Sequence, residues 1–344
     1  MAKDIATRLL AWHKRHGRHD LPWQNTTDPY RVWLSEIMLQ QTQVATVIPY
    51  YQRFLERFPN LAALAAAPVA EVMSLWSGLG YYARARNLHC CARKIVEQHG
   101  GAFPDDPVLI AALPGIGRST ANAIAAFCFD ARVPILDGNV KRVLARCFGI
   151  EGFPGAAIVE KQMWALAESL LPLRHTALYI QAQMDLGATL CTRSRPRCTD
   201  CPLAEICVAR QEERQTSLPA PRPKKALPTR ERIFLVLLDG PRVLLERRPP
   251  SGIWGGLLSL PELPEGAEAT SFARRLGVEA AAWEELPALR HTFSHFHLVL
   301  RPFKAQATPV LQTREGSGLH WENKSALAGA ALPAPIRTLL AMAM

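Results

Sequence analysis

Four cysteines lie close together in the sequence. Their residue type indicates their chemistry more clearly than that of any other side chains in the chain. Cys191, Cys198, Cys201 and Cys207 follow the pattern C-x6-C-x2-C-x5-C. Four thiols at this spacing favour a metal site over disulfides in a protein that shows no export signal. The spacing is compatible with tetrahedral zinc and with an iron–sulfur cluster. On spacing alone zinc comes first, because structural zinc sites are common.

A single glutamate lies within an apolar helical pattern. Glu36 has Val32, Trp33, Ile37, Met38 and Leu39 around it. A carboxyl group in apolar surroundings has a raised pKa and keeps its proton near neutral pH, as a general acid requires. The pattern is equally compatible with an exposed glutamate on an amphipathic helix.

A candidate partner for this acid is an aspartate at a predicted helix start. Asp137 precedes Gly138, and Lys141 and Arg142 follow in the first turns. Helix N–H groups and the helix dipole favour an ionised carboxylate at this position. The simpler alternative is that Asp137 only caps the helix.

Two glycines one residue apart indicate a tight turn between helical patterns. Gly115 and Gly117 lie in Leu113–Gly117, just before Arg118–Thr120 open the next helix. Glycine permits positive φ, and the N–H groups of such a turn can hold a phosphate. A plain helix–helix turn is the alternative.

The chain divides by pattern into a helical part, a linker and a mixed part. Helical spacing extends through about residue 190 without strand-like alternation, and prolines at 219, 221, 223 and 228 indicate a semi-rigid linker. Strand patterns follow at 233–238, 243–245 and 295–303, with helices near 271–276 and 336–342. We therefore predict a helical domain at 1–212, whose metal-binding loop spans about 188–210, a linker at 213–230 and an α+β domain at 231–344.

Composition narrows the class of protein. The 344 residues carry a net charge of +10, and 49% are hydrophobic. A basic surface attracts polyanions such as DNA, although charge alone is weak evidence. Neither a membrane-spanning run nor a secretion signal is visible. We therefore expect a monomeric cytoplasmic protein without membrane association.

Two of these motifs together resemble the helix-hairpin-helix DNA glycosylase superfamily. LPGIGRSTA is followed by LDGNVKR. The resemblance implies that Gly115 and Gly117 hold the DNA backbone and that Asp137 is catalytic. Endonuclease III-like members carry a lysine where this chain has Ser119, and its amine permits strand cleavage. The resemblance therefore implies a DNA-contacting Ser119 without lyase chemistry, while Lys141 could give weak adventitious trapping.

The segment WLSEIMLQQTQV resembles the motif of the adenine-specific MutY family. The resemblance makes Glu36 the acid and places Gln41 and Thr42 near the gap left by a flipped base. It also makes Leu79 and Tyr81 wedges in the duplex. The glycines on both sides of Leu79 favour an exposed tip, whereas Tyr81 could instead belong to the core.

The cysteine spacing after a helical domain resembles the [4Fe–4S] loop of the endonuclease III and MutY families. The resemblance places a [4Fe–4S] cluster ahead of zinc. Arg193, Arg195 and Arg197 lie in the same loop. They would contact the phosphate backbone, Arg193 foremost, unless they are only a solvated basic surface.

The C-terminal part resembles the MutY C-terminal domain, which is related to Nudix hydrolases. The resemblance is carried by SGIWGG from Ser251 and by HTFSHFH from His291. GAEATSFARRLG, from Gly266, lacks the paired glutamates of an active Nudix box, so we expect no pyrophosphate hydrolysis. The resemblance implies that Phe293, Ser294 and His295 meet 8-oxoguanine. Without it, a hairpin with core aromatics is favoured.

Together these motifs predict a multidomain fold, with an all-α helix-hairpin-helix glycosylase domain, an iron–sulfur loop and a smaller α+β Nudix-like domain. The expected function is a monofunctional glycosylase, in a bacterial cytoplasm, that removes adenine opposite 8-oxoguanine or guanine in double-stranded DNA. One alternative is an endonuclease III-like glycosylase/lyase for oxidised pyrimidines. Another is a metal-stabilised DNA-binding protein without enzymatic activity.

Overall fold

The computed structural model describes residues 2–223, 226–249, 252–310 and 318–344. It divides into two compact units. The first, here called the helical unit, contains residues 1–66 and 87–224, and the second, the mixed unit, contains 67–86 and 225–344. Lys224 and Lys225 of the predicted linker and Ser251 of the SGIWGG motif lie outside the described residues. The predicted domain boundaries remain a prediction.

Helices account for the regular structure of the described residues up to Gln211. Their bounds are α1 Ala2–His16, α2 Pro29–Leu39, α3 Val44–Arg57, α4 Leu61–Ala66, α5 Val69–Leu75, α6 Ala83–Gln98, α7 Pro107–Ala111, α8 Arg118–Phe129, α9 Gly138–Phe148, α10 Ala157–Ser169, α11 Thr176–Thr189 and α12 Val208–Gln211. The predicted all-α first half is confirmed. No helix in the described part of the chain has the length and apolarity to cross a membrane.

Aspartate–proline pairs explain where two of these helices begin. The Asp28 side chain accepts a hydrogen bond from the Tyr30 N–H, and Pro29 occupies the first helical position of α2. Asp106 accepts from the Val108 N–H at the start of α7 in the same way. These caps satisfy N–H groups that have no partner within the helix. The cap at Asp28 sets the start of the helix that carries Glu36.

The core of the helical unit forms around α9 and α11. Leu144 of α9 and Ile180 of α11 are fully buried there, with Leu9 of α1. Apolar side chains at helical spacing on each element face this cluster, and their removal from water stabilises the packing. The cluster thereby fixes the start of α9, which carries Asp137.

The mixed unit contains a mostly antiparallel sheet with one parallel strand pair. Its strands are β1 Thr229–Asp239, β2 Arg242–Arg247, β3 Leu258–Ser259, β4 Glu262–Leu263, β5 Val278–Ala280, β6 Glu284–Glu285, β7 Leu289–Thr292, β8 His297–Pro309 and β9 Leu319–Asn323. The main order is β3-β2-β1-β8-β5, with β1 parallel to β8. Helices α13 Ala269–Arg275 and α14 Ala334–Ala343 complete this part.

Both faces of the central strand β1 are buried, which explains its continuous apolar run. Phe234, Val236 and Leu238 point to a cluster that includes residues of α14. Leu235 and Leu237 point to a second cluster that includes residues of α13. Alternate side chains of a strand face opposite sides of the sheet, so each side receives its own apolar set. The predicted strands at 233–238 and 243–245 are confirmed with longer bounds, whereas the strand predicted at 295–303 begins at His297 and extends to Pro309.

Candidate catalytic pocket and recognition loops

A pocket in the helical unit contains the predicted acid. Its volume is about 150 Å³, and Glu36 lines it together with Val32, Ser35, Trp23 and Phe127. A cavity of roughly this volume can hold a small planar ring. The pocket therefore combines an apolar aromatic wall with an ionisable group.

Glu36 has the properties that its apolar neighbours predicted. The residue keeps some exposed surface, but its carboxyl group is desolvated. Burial, and to a smaller extent the negative charge of Asp137, raises the pKa of Glu36 to about 7. Because a carboxylate is less stable away from water and near another carboxylate, a substantial fraction of Glu36 keeps its proton at neutral pH. The charge of Asp137 acts on Glu36, although Asp137 is not one of the residues that line the pocket.

Asp137 is the N-cap of α9, as predicted. Its carboxylate accepts hydrogen bonds from the Val140 N–H at 2.7 Å and from the Asn139 side-chain amide at 3.1 Å. Burial nevertheless raises the pKa of Asp137 above its ordinary value, while these donors and the Arg142 charge oppose the rise. We expected the helix start to favour ionisation. The direction of the pKa shift is the opposite, because the sequence does not reveal how far the carboxyl group is desolvated.

Ser119 and Lys141, both predicted to contact DNA, have partners within the protein. The Ser119 hydroxyl accepts a hydrogen bond from the Leu136 N–H at 3.0 Å, directly before Asp137. The Lys141 ammonium donates to Glu160 Oε1 at 2.6 Å. Ser119 therefore holds the segment that leads to Asp137. To contact DNA, Lys141 would have to exchange its ion pair with Glu160 for one with a phosphate.

The two hairpin glycines differ in conformation. Gly115 has φ of +77°, and a Cβ there would come within 2.6 Å of the Asn87 Cβ. Gly117 caps α8 with φ of −90°, and a Cβ on it would meet open space. The expectation of positive φ therefore holds for Gly115 only. At Gly117 the protein itself does not demand glycine, which leaves room for a close approach from outside.

A buried ion-pair network beside the pocket was missed by the sequence analysis. Asp185 is fully buried and accepts hydrogen bonds from Arg18 Nε at 2.8 Å and Gln181 Nε2 at 3.0 Å, and His13 Nε2 lies 3.2 Å away. Arg18, Gln181 and His13 all line the pocket. The only sequence signal was a pair of polar residues, Gln181 and Asp185, four apart on the largely apolar α11. Nothing in that spacing indicated the partners contributed by residues 13 and 18.

The turn between α2 and α3 contains the two predicted gap residues. Gln41 is exposed and has φ of +58°. Thr42 is partly buried, and its N–H donates to the Leu39 carbonyl at 3.3 Å. A non-glycine residue at positive φ is uncommon. The turn therefore projects Gln41 outward.

The two predicted wedge residues have opposite exposure. Tyr81 is 54% exposed, as a wedge requires, whereas Leu79 is 6% exposed. The exposed tip expected for Leu79 is therefore wrong. Gly78 and Gly80 have φ of +101° and +71°, so the glycines serve a sharp bend that turns Leu79 inward. The role of both residues toward DNA remains a prediction.

The four clustered cysteines influence one another electrostatically. The pKa of Cys201 is raised to about 11, mainly by burial. The charges of Cys191, Cys207 and Cys198 also raise it. The buried Arg146 donates from Nη1 toward the Cys191 sulfur at 3.4 Å and to the Thr192 carbonyl at 2.7 Å. Within the described ranges, no three His, Cys, Asp or Glu side chains are arranged to hold a single metal ion.

The arginines of the same loop are exposed. Arg193, Arg195 and Arg197 all face solvent. The Arg193 carbonyl accepts a hydrogen bond from Arg146 Nη2 at 3.0 Å. The buried Arg146 therefore holds the backbone of Arg193, while the Arg193 side chain stays exposed to solvent, as contact with a phosphate requires.

The predicted lesion loop is the tight turn between β7 and β8. The Phe293 N–H donates to the Phe296 carbonyl at 2.9 Å, and the two rings stack at 4.7 Å. Phe293 is partly buried, whereas Ser294 and His295 are exposed and contact each other at 3.3 Å. The phenylalanine therefore anchors the turn, and its two polar neighbours form the tip.

Comparison with known proteins first defines the class. Residues 34–169 match the HhH-GPD superfamily of base excision DNA repair proteins, and residues 233–342 match the NUDIX domain. A thermostable thymine-DNA glycosylase is similar in structure, with a TM-score of 0.56, 28% identity and coverage of 61% of this chain and 97% of that one. An endonuclease III bound to DNA shares the fold, with a TM-score of 0.52, 21% identity and coverage of 62% and 98%.

Full-length relatives then define the family. An adenine DNA glycosylase from Buchnera aphidicola (Acyrthosiphon pisum) is 37% identical over 342 residues, covering 99% of this chain and 98% of that protein. The mouse adenine DNA glycosylase is 34% identical over 397 residues, covering 98% and 77%. The chain belongs to the adenine DNA glycosylase family, whose members hydrolyse N-glycosyl bonds.

Proposed function

We propose that this chain removes adenine paired with 8-oxoguanine or guanine in double-stranded DNA. The observation that carries the proposal is the pocket in which Glu36 has a pKa of about 7 and is coupled to Asp137. Such a pair supplies one protonated and one ionisable carboxyl group at neutral pH. An adenine enters the pocket only after it has been flipped out of the duplex, because the base stack hides its reacting atoms.

In the reaction, the proton of Glu36 passes to N7 of the flipped adenine. The C1′–N9 bond then breaks with its electron pair going to the base, which leaves as neutral adenine. Positive charge develops on the sugar, and the Asp137 carboxylate stabilises it. Water adds to C1′ and gives its proton to the Glu36 carboxylate. This restores both groups, as in glycoside hydrolysis by two carboxyl groups.

The hydrogen bonds at Asp137 support this division of roles. We assign the anion to Asp137 and the proton to Glu36, whose pKa is about 7. Hydrogen bonds from Val140 and Asn139 stabilise the Asp137 anion. With Glu36 protonated and Asp137 ionised, the pair is in the form that the reaction requires. The brace from Ser119 to Leu136 keeps the aspartate segment in place.

We also propose that Cys191, Cys198, Cys201 and Cys207 hold a [4Fe–4S] cluster. Thiols are the preferred ligands of such clusters, and the Arg146 guanidinium beside Cys191 offsets the negative charge that four thiolates would bring. When bound, the cluster supplies a cross-link that orders the loop carrying Arg193. An absorbance band near 400 nm that Cys198→Ser abolishes and the exposed Cys90→Ser retains supports this assignment. Bound zinc without that band contradicts it.

Recognition of the opposite base is assigned to the turn at Phe293–His295. Its exposed tip offers the hydroxyl of Ser294 and the imidazole of His295 for hydrogen bonds to 8-oxoguanine. At the helical hairpin, the open space above Gly117 and the N–H groups at the start of α8 fit a phosphate. We propose that these groups contact double-stranded DNA. We also propose that the protein is a cytoplasmic monomer.

The test is adenine release from duplexes that contain adenine opposite 8-oxoguanine, guanine or thymine. We expect release from the first two and an intact sugar–phosphate strand until alkali is added, because Ser119 provides no amine for lyase chemistry. A matched duplex containing an oxidised pyrimidine tests the endonuclease III-like alternative. Strand cleavage of that duplex without alkali, together with no adenine release, would overturn the proposal.

A further inference from the structure

A buried arginine lies directly behind the exposed Tyr81. Arg84, in the first turn of α6, is 8% exposed. Its Nη2 donates hydrogen bonds to the carbonyls of Leu79 and Gly80, each at 3.2 Å. One guanidinium nitrogen therefore bridges two successive peptide units of the loop that precedes Tyr81.

Two aromatic rings complete the arrangement. The guanidinium carbon lies 5.4 Å from the centre of the Trp76 ring and 5.5 Å from that of Tyr81. Trp76 Nε1 donates to the Gly80 carbonyl at 3.2 Å. Cations within about 6 Å of an aromatic face are attracted to it. We call Trp76, Leu79, Gly80, Tyr81 and Arg84 the Arg84 clamp.

The loop needs such a clamp because its backbone is unusual. Gly80 has φ of +71°, and Tyr81, a non-glycine residue, has φ of +50°. A left-handed conformation is unfavourable for a bulky residue and persists only where its surroundings hold it. Without these contacts, Tyr81 would sample several orientations.

The chemistry of arginine suits this position better than that of lysine. Burial lowers the pKa of Arg84 to about 10, so the group stays charged at neutral pH. Its planar fork can donate to two carbonyls in a fixed geometry while its faces stack on aromatic rings, an arrangement that a compact, strongly hydrated ammonium group fits less well. The charge and the planarity of the Arg84 side chain therefore both contribute to holding the loop.

We propose that Arg84 is a positioning residue that holds the Tyr81 ring in one exposed orientation for insertion into the DNA beside the flipped adenine. The proposal rests on the function proposed above. It assigns Arg84 no contact with the reacting atoms. Its contribution is to fix the loop before binding, so that less conformational freedom is lost when DNA binds.

A double-mutant cycle tests this coupling. Arg84→Met is made in the natural chain and in Tyr81→Ala, and single-turnover adenine release is measured on the adenine–8-oxoguanine duplex. We expect Arg84→Met alone to slow release roughly 10- to 100-fold, as misplacement by about 1 Å does. In the Tyr81→Ala background we expect less than about a 2-fold further loss. Arg84→Lys should not restore the rate.

Arg93→Met is the matched control, because Arg93 is also on α6 but forms an exposed ion pair with Glu97. Melting temperature and circular dichroism identify variants that do not fold, in which case Arg84→Lys replaces Arg84→Met in the cycle. A 2-aminopurine beside the mismatch reports unstacking on binding, independently of catalysis. We expect its fluorescence rise to shrink with Arg84→Met.

If Arg84→Met slows adenine release equally in the natural chain and in Tyr81→Ala, the proposed role of Arg84 is wrong, since a general structural defect does not depend on Tyr81. An unchanged rate with Arg84→Met, or a normal rate with Tyr81→Ala, would overturn it too. If the natural chain releases no adenine, the proposed function fails. The 2-aminopurine signal then still decides whether Arg84 acts through Tyr81.

Discussion

The pocket of the helical unit and the loops of the mixed unit hold their polar groups in different ways. In the pocket, Glu36 and the Asp185 network are withdrawn from water, and several hydrogen bonds fix Asp185. In the loops, Tyr81 and Ser294 are exposed, and only the groups beneath them are buried. Desolvation changes acid strength, whereas exposure on an anchored turn leaves a group free to meet a large partner. The comparison predicts large effects in the pocket and smaller, selective effects in the loops.

The largest effect is expected for Glu36→Gln. The amide cannot donate a carboxylic acid proton to N7, so adenine release should fall on the order of 10²- to 10⁴-fold. Binding of mismatched duplex, measured by gel shift, should remain. The matched control is Glu56→Gln, an exposed glutamate on α3, which should release adenine at the normal rate. Unimpaired adenine release by Glu36→Gln would contradict the role of Glu36 as the acid.

Asp137→Asn should have the next largest effect. The amide keeps a cap oxygen for the Val140 N–H but loses the charge that stabilises the developing cation. We expect release to slow roughly 10²- to 10³-fold, as when other preorganised electrostatic groups are removed. Asp106→Asn, at the comparable cap of α7, controls for loss of a capping charge. Equal slowing by the two variants would indicate a structural role for Asp137.

The dependence of the rate on pH sharpens the comparison further. Glu36 acts only when protonated, and its pKa is about 7. The single-turnover rate should therefore fall about 10-fold per pH unit well above that value. Because the charge of Asp137 raises this pKa, Asp137→Asn should move the alkaline midpoint to lower pH. The ¹³C shift of the Glu36 carboxyl carbon measures the same midpoint where the residual rate is too low. A titration midpoint near the ordinary pKa of 4.5 would contradict the desolvated pocket.

Ser294→Ala should have the smallest effect. Loss of one hydrogen bond at the exposed tip costs about 1 kcal/mol, which corresponds to a change of roughly 5-fold. We expect adenine release opposite 8-oxoguanine to slow by this factor, with little change opposite guanine. Ser169→Ala, at an exposed serine on α10, is the control. Equal loss on both duplexes would argue against recognition of the oxidised base by Ser294.

Features that depend on local chemistry were predictable from the sequence. Asp137 caps α9 because an aspartate before a helix start can accept from the N–H groups of its first turn. The apolar residues beside Glu36 on α2 indicated a candidate acid, although the same pattern also allowed an exposed glutamate. The apolar run at 233–238 indicated a strand, and its burial on both faces accounts for the lack of alternation.

Features that depend on distant residues could not be predicted. The glycines around Leu79 suggested an exposed tip, but the bend that they allow turns Leu79 inward and leaves Tyr81 outside. The upward shift of the Asp137 pKa depends on how deeply its neighbourhood is buried. Likewise, no sequence pattern connected Arg18 with Asp185, which are 167 residues apart.

The sequence by itself determined which groups are available: two carboxyl groups, four clustered thiols, a glycine hairpin and a second α+β part. Residue type, spacing along a helix and turn chemistry are local properties, because each depends on the residues of one short segment. The tertiary structure decided the acid strengths, the partners of Asp185 and the exposure of Tyr81 over Leu79. These depend on which remote segments exclude water or present a donor, and only packing brings those segments together.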